Sequence, residues 1–276
     1  MHELERLLHD DAPYGDLTTE ALGIGRRLGR IRFRARDAMV VAAIEEGAAL
    51  LELAGVDVTL KVRSGDAVDA NTLLLEGEGP AHALQRAWKV SQTLIEIWSG
   101  VATATRKLVT AARAARPEIA VACTRKNVPG TKAFAAAAVK AGGAVMHRLG
   151  LSETILVFPE HRVFIDDGDA VAAMAALRRH SPEKKLVCEV DSVSEGRAAA
   201  EAGFDVIQAE KFSPDMIAQL SQNIAVMMPR PLVAAAGGVN ADNAAAYALA
   251  GADILVTSWP YTARPADVAV QILAVD

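Results

Sequence analysis

Leu186-Val187-Cys188-Glu189, Val206-Ile207-Gln208-Ala209-Glu210, Leu232-Val233-Ala234-Ala235-Ala236-Gly237 and Ile254-Leu255-Val256-Thr257 repeat one pattern four times. Each is a short β-rich apolar run that ends on a polar or flexible residue. Glu189 to Glu210 is 21 residues, Glu210 to Ala236 is 26 and Ala236 to Thr257 is 21, with alanine-rich stretches between. That is a βα period, because parallel neighbours need a crossover of a dozen or more residues. Ile119 to Cys123 and Ile155 to Phe158 extend the series upstream. Runs this apolar predict strands buried on both faces. A closed βα barrel is the first reading and an open doubly wound sheet the second, since spacing does not distinguish closure.

The residues before this series read differently. Ile31-Arg32-Phe33-Arg34-Ala35-Arg36 alternates apolar and basic, the mark of a strand with one buried face, and Val56 to Val62 does the same. Ala43 to Leu53 has helical spacing, and a further apolar run, Thr72 to Leu75, follows Gly65-Asp66. These elements predict a small α+β domain over 1–98. From Pro80 to about Arg116 the pattern is helical, with a break and a domain boundary expected near Ser99-Gly100. The barrel then takes 99–264, and 265–276 reads as a last helix or a return to the first domain.

With 276 residues the chain suffices for a barrel-sized domain or two ordinary ones. Its apolar stretches fall far short of the ~18 residues that span a bilayer. Met1 to Asp11 has no basic segment leading into an apolar one, which predicts a cytoplasmic protein. Two cysteines inside apolar runs exclude a disulfide framework and read as core residues. A net charge of −5 and 4% aromatic residues argue against a nucleic-acid surface, so an anionic ligand must be met by a local cluster.

In βα folds, reactive groups collect at the carboxyl ends of the strands. There the sequence sets Thr124-Arg125-Lys126, Glu189, Glu210-Lys211 and Gly237-Gly238, with His147-Arg148 in a loop between two units. Arg125, Lys126, Lys132, His147 and Arg148 form a cationic group suited to a small polyanion, because guanidinium grips carboxylate or phosphate with two parallel bonds. For any one of them an ordinary solvated charge is the competing explanation. Gly237-Gly238-Val239-Asn240 before a helix suits a phosphate, against a plain capped turn. Glu189 and Glu210, on neighbouring strands, could hold Mg²⁺ or stabilise positive charge on a sugar carbon, against salt bridges to Lys126 or Lys211. His9, His82, His161 and His180 show no metal spacing.

Gly15-Asp16-Leu17-Thr18-Thr19, Ser99-Gly100-Val101-Ala102-Thr103, Thr124-Arg125-Lys126 with Pro129-Gly130, Gly142-Gly143, His147-Arg148-Leu149-Gly150-Leu151 and Gly237-Gly238 together resemble the quinolinate phosphoribosyltransferase (nicotinate-nucleotide pyrophosphorylase) family in order and spacing. Trp88-Lys89-Val90-Ser91 and Leu151 to Phe158 resemble its ModD pyrophosphorylase branch, which is associated with molybdenum transport. The resemblance implies an α/β fold with an N-terminal α/β sandwich and a C-terminal α/β barrel of about seven parallel strands. It implies a homodimer with the active site at the subunit interface. The reaction implied joins quinolinate to phosphoribosyl pyrophosphate with Mg²⁺, releases pyrophosphate and loses CO₂. Residue by residue, it puts Arg125, Arg148, His147, Lys126 and Lys89 on the acceptor carboxylates and makes Thr124 and Ser258 substrate-binding. Lys126, Glu189 and Glu210 are the implied catalytic groups, the two glutamates also the metal ligands, and Gly237 and Gly238 the phosphate loop.

Four positions depart from the family pattern. Phe158 stands where the family has a lysine on quinolinate, Lys89 where it has an arginine, Glu210-Lys211 where it has Asp-Asn, and Ala236 where it has a serine. Without the lysine a second carboxylate loses its partner, which costs typically ~3–5 kcal/mol. The expected function is phosphoribosyl transfer to quinolinate or a related anionic aromatic acid. The alternatives are a non-catalytic anion-binding or regulatory protein and a Schiff-base lyase using Lys126 or Lys211. The surrounding Arg and Glu disfavour the last by keeping those lysines charged.

Overall fold

In the computed structural model, residues 2–165 and 170–275 are described; Met1 and Asp276, the outer bounds of the expected domains, lie outside them. The chain divides into two compact units. The first holds Met1–Arg106, Ala133–Gly143 and Thr262–Asp276, and the second Lys107–Lys132 and Ala144–Tyr261. The chain passes from the first to the second within one helix, and 133–143 also count with the first.

The first unit begins with α1 (His2–Asp11), α2 (Leu17–Ala21), β1 (Leu28–Ala35), β2 (Met39–Val40), α3 (Ile44–Ala54), β3 (Asp57–Leu60), β4 (Ala67–Val68), β5 (Leu73–Pro80) and α4 (Ala81–Ala115). The alternation in β1 works as expected. Ile31, Phe33 and Ala35 are buried, while Arg30 and Arg32 point away and pair with Glu78 and Glu76 of β5. The break expected near Ser99-Gly100 does not occur, because α4 runs through it as 35 helical residues. Gly100 is a close-approach glycine: a Cβ there would stand 2.3 Å from the Arg264 carbonyl oxygen. Beside it, buried Ser99 accepts from the Ala42 N–H through its hydroxyl oxygen at 2.9 Å.

The second unit is built on β6 (Ala120–Cys123), β7 (Val145–Met146), β8 (Ile155–Val157), β9 (Leu186–Val190), β10 (Val206–Glu210), β11 (Leu232–Ala236) and β12 (Ile254–Thr257). Between these strands in the chain lie α5 (Lys132–Ala141), which from Ala133 on belongs to the first unit, and α6 (Pro159–Arg162), α7 (Ala170–His180), α8 (Val193–Glu201), α9 (Pro214–Ile224) and α10 (Ala244–Leu249). The sheet order is β7-β6-β12-β11-β10-β9-β8, and its pairings are parallel. The first strand pairs with the last, Ile254 opposite Ala120 through Thr257 opposite Cys123, which is the closing step of a barrel. The ring stays open at one seam, since β7 and β8 do not pair. Of the seven strands, β7 carries no pattern in the sequence: two residues are too few for one, and His147-Arg148 directly follows a strand instead of lying in a free loop.

Along β8 to β12 one face looks inward on an apolar cluster of Leu156, Val187, Val206, Ala234, Ala236 and Val256, with Phe158, Leu232 and Ile254 packed against it. After β12 the chain returns to the first unit. There β13 (Val268–Ala274) pairs antiparallel with β1, giving the sheet order β13-β1-β5-β3.

Both cysteines are buried in this second sheet, and burial pushes the Cys123 thiol up to about 12 and the Cys188 thiol to about 11. Since thiolate is the reactive form, native protein should leave both thiols unmodified by an aromatic disulfide reagent at about pH 8. Two should titrate once denaturant is added. Reaction of either in the native state at the rate of a free peptide thiol would contradict this burial.

Candidate active site at the strand ends

Parallel strands in one sheet point the same way, so the residues that follow β6 to β12 gather on one rim. Each strand brings a different chemistry. Past β6 stand Thr124, Arg125 and Lys126, and past β7 His147 and Arg148. Phe158 follows β8, Glu189 and Glu210 lie near the ends of β9 and β10, Ala236-Gly237-Gly238 close β11, and Ser258 follows β12.

Backbone bonds lock the β6 and β7 ends together. The Thr124 N–H donates to the Thr257 carbonyl at 2.8 Å, and the His147 N–H to the Cys123 carbonyl at 2.8 Å. The Tyr261 hydroxyl donates to the Thr124 carbonyl at 2.9 Å, and the Thr124 hydroxyl oxygen accepts from the Lys126 N–H at 3.2 Å. The Arg125 and Lys126 side chains remain exposed, as does Lys132 at the start of α5.

Arg148 is the unusual group. It is 5% exposed, yet among the described residues it makes no ion pair and no hydrogen bond. Its guanidinium lies 5.4 Å from the centre of the Phe158 ring, a contact that offsets part of its desolvation. Burial, and then the neighbouring Arg125 charge, push its pKa below the ordinary arginine value. His147 is pushed down as well, by burial first and by Arg148 second, which keeps its imidazole neutral near pH 7. Two guanidiniums that repel each other, one largely buried and without an ion pair among the described residues, are an arrangement suited to an anion.

Phe158 seats its ring on the interior apolar cluster. Its own N–H donates to His161 Nδ1 at 3.0 Å, and the His161 ring stacks on it at 5.8 Å. The Phe158 ring therefore lies between Arg148 and the interior cluster, with His161 stacked on it.

On the other side of the sheet order, Glu189 and Glu210 form an acidic pair. Glu189 is pushed above the usual carboxylate range by burial, with Glu210 and Glu160 adding to the rise; a hydrogen bond from Gln208, at 2.6 Å, and the Lys126 charge oppose it. Lys211 stands 4.0 Å from Glu210 and is 80% exposed, too distant and solvated to neutralise it. Among the described residues no three His, Cys, Asp or Glu side chains converge as a metal site. A divalent cation here would take two carboxylates and complete its shell with phosphate oxygens and water.

The loop after β11 presses against this pair. A Cβ on Gly237 would fall 2.8 Å from Glu210 Oε1 and 2.7 Å from Lys211 Cγ, and φ of +81° itself calls for glycine. Gly238 faces open space. The Asn243 side-chain amide donates to the Gly238 carbonyl at 3.0 Å, and Asn243 Oδ1 accepts from the Asn240 N–H at 2.8 Å, so the loop is braced from within.

Of the residues singled out in the sequence, Thr124, Arg125, Lys126, His147, Arg148, Phe158, Glu189, Glu210, Ala236, Gly237, Gly238 and Ser258 share this rim. Lys89 stands in the first unit on α4, its ammonium 4.0 Å from the Trp88 ring centre and bonded to Gln92 Oε1 at 2.7 Å. Sequence reasoning missed Gln208, although an amide inside Val206-Ile207-Gln208-Ala209 was the available signal.

Residues 16–99 match the family described as "Quinolinate phosphoribosyl transferase, N-terminal domain", and residues 101–271 match its C-terminal domain. The chain is 47% identical to the ModD protein of Rhodobacter capsulatus over 88% of this chain and 93% of that one. It is 31% identical to the nicotinate-nucleotide pyrophosphorylase [carboxylating] of Mycobacterium leprae, over 98% and 95% respectively. The crystal structure of NadC from Streptococcus pyogenes superposes with a TM-score of 0.90 at 24% identity, covering 100% of this chain and 96% of that one, a likeness in fold.

Because Arg148 is largely buried and makes no ion pair among the described residues, Arg148→Met should stabilise the ligand-free protein. A gain of ~1 kcal/mol raises the Tm by about 2–4 °C at this size, readable by calorimetry. A lower Tm would mean that the guanidinium is held by contacts that a thioether cannot replace.

Proposed function

The chain belongs to the quinolinate phosphoribosyltransferase family, in which it is ModD-like, and from that premise we propose that it transfers phosphoribosyl from phosphoribosyl pyrophosphate to an anionic aromatic acid and releases pyrophosphate. The observation that carries this reading is the buried Arg148, unpaired among the described residues, beside Arg125 on a rim that also presents an acidic pair. Charges of opposite sign on different strands suit two substrate ends of different character.

Arg125 and Arg148 would bind the acceptor carboxylate and fix its ring, a contribution of proximity. Neutral His147 would serve as hydrogen-bond donor or acceptor there. Phe158 would offer its face to the aromatic ring. Glu189 and Glu210 would stabilise the positive charge that grows on the ribose anomeric carbon as its bond to pyrophosphate lengthens. Lys126 and the backbone N–H groups around Gly237 and Gly238 would meet phosphate oxygens, with Thr124 and Ser258 as hydroxyl contacts. The two carboxylates fit a Mg²⁺ ion, which when bound would neutralise the departing pyrophosphate.

Quinolinate is the first acceptor to test, and loss of CO₂ belongs to the proposal only for an acceptor with a carboxylate next to the ring nitrogen. The homodimer with a shared site, and within it the role of Lys89, rest on the family likeness; the link to molybdenum transport rests on the ModD likeness, and a cytoplasmic setting completes the reading. No helix among the described residues is long and apolar enough to cross a membrane.

Pyrophosphate release from phosphoribosyl pyrophosphate with Mg²⁺, measured with and without quinolinate, tests the reaction. The expected result is acceptor-dependent release; neither release nor binding of phosphoribosyl pyrophosphate would favour the non-catalytic alternative. Arg125→Ala should weaken acceptor binding roughly 10- to 100-fold, the worth of a charge-assisted contact. Unchanged acceptor affinity would remove Arg125 from the site. Phe158→Lys should raise quinolinate affinity roughly tenfold by supplying a charge for the second carboxylate. No gain in a folded variant would show that Phe158 does not set the preference.

A further inference from the structure

Gln208 is 4% exposed and lies in the middle of β10, between Val206 and Glu210 on the inward face. Its register partners are Glu189 on β9 and Ala234 on β11. Ala234 and Val206 belong to the interior apolar cluster, so the amide is set among hydrocarbon on two sides. Its Nε2 donates to Glu189 Oε2 at 2.6 Å, while its Oε1 is buried and has no partner among the described residues. The N–H side of the amide faces Glu189, the orientation in which an ionised carboxylate accepts.

We propose that Gln208 is a positioning residue, which holds the Glu189 carboxylate in place for the phosphoribosyl end of the substrate. For stability alone an apolar side chain would serve better here, because it would pack on Val206 and Ala234 and strand no acceptor. The orphan Oε1 marks an amide kept for its other end. Ala234, with a single methyl group, leaves the room that a Gln side chain needs beside it. The hydrogen bond holds Oε2 and so restricts rotation about the terminal torsion of Glu189. This role rests on the phosphoribosyl reading above.

The test is a double-mutant cycle on the full chain, with affinity for phosphoribosyl pyrophosphate in Mg²⁺ buffer read by calorimetry and the Tm measured beside it. Gln208→Met keeps the length and loses the donor; Gln208→Leu is the second variant, more compact and also apolar. Each should weaken binding roughly tenfold in the wild-type background and by less than about twofold in a Glu189→Gln background, because a residue acting through Glu189 has nothing left to position. The Tm should stay level or rise. Wild-type affinity in a folded variant, or equal weakening in both backgrounds, would overturn the proposal. So would loss of fold in both variants, which assigns Gln208 to folding. If the wild-type protein itself binds no phosphoribosyl pyrophosphate, the phosphoribosyl reading fails and this role fails with it. That outcome is distinct from binding that Gln208 does not affect.

Discussion

The ladder between β6 and β12 is the constraint on which the rest of the second unit depends. By pairing the first strand of the series with the last, it turns seven strands of one direction into a ring with a single rim. Residues more than 130 positions apart, Thr124 and Ser258, then follow neighbouring strands. The Thr124 N–H bond to Thr257 and the Tyr261 hydroxyl bond to Thr124 continue the ladder past its last register pair and fix where Arg125 and Lys126 leave the sheet. The open seam falls between β7 and β8, and there Arg148 lies over the Phe158 ring. Strands that share no hydrogen bonds are joined by a cation on an aromatic face.

The charge arrangement has an energetic logic. A carboxylate beside Arg148 would relieve its burial but would also occupy it, leaving nothing for a ligand. Phe158 offsets the charge partially, since an aromatic face is a weaker partner than an anion. The guanidinium is thus tolerated without being satisfied. Glu189 and Glu210 show the same restraint: Gln208 steadies one, Lys211 stays 4.0 Å from the other, and neither is closed off by a full ion pair. By contrast, Arg30 with Glu78 and Arg32 with Glu76, on the first unit's sheet, are paired in full and are exposed or partly so.

Much of the architecture was legible in the sequence for physical reasons. Strands β6 and β8 to β12 are apolar on both faces, so each reads as a run, and the crossover requirement sets their spacing. Strand β1 reads by alternation because one face is wet. What was not legible depends on contacts distant in sequence. Gly100 reads as a breaker until the Arg264 backbone is seen packed against it, and the end of the chain reads as a last helix or a return to the first domain until β1 pairs with β13. The rim residues could be named because each follows a strand. Their differences could not: Arg148 is buried and Arg125 exposed, yet both are arginines that follow a strand. Gln208 escaped because a single amide in an apolar run looks like noise until its register places it against Glu189.

The polar groups are graded along the strands. Val187, Val206 and Leu232 open the inward faces of β9, β10 and β11 and are apolar. Gln208 and Glu189 come two positions later and Glu210 two later still, so polarity rises stepwise toward the rim. Ala234 and Ala236 keep the matching positions on β11 small, which opens the space that the longer side chains of β9 and β10 enter. An apolar floor with a polar lip is a general solution for a barrel that must be both packed and reactive. Here Phe158 departs from it, since it carries the apolar character of the floor up to the lip. The Phe158 side of the rim is therefore where a flat, weakly hydrated ring would gain most from leaving water, and the β10 and β11 side is where charge would.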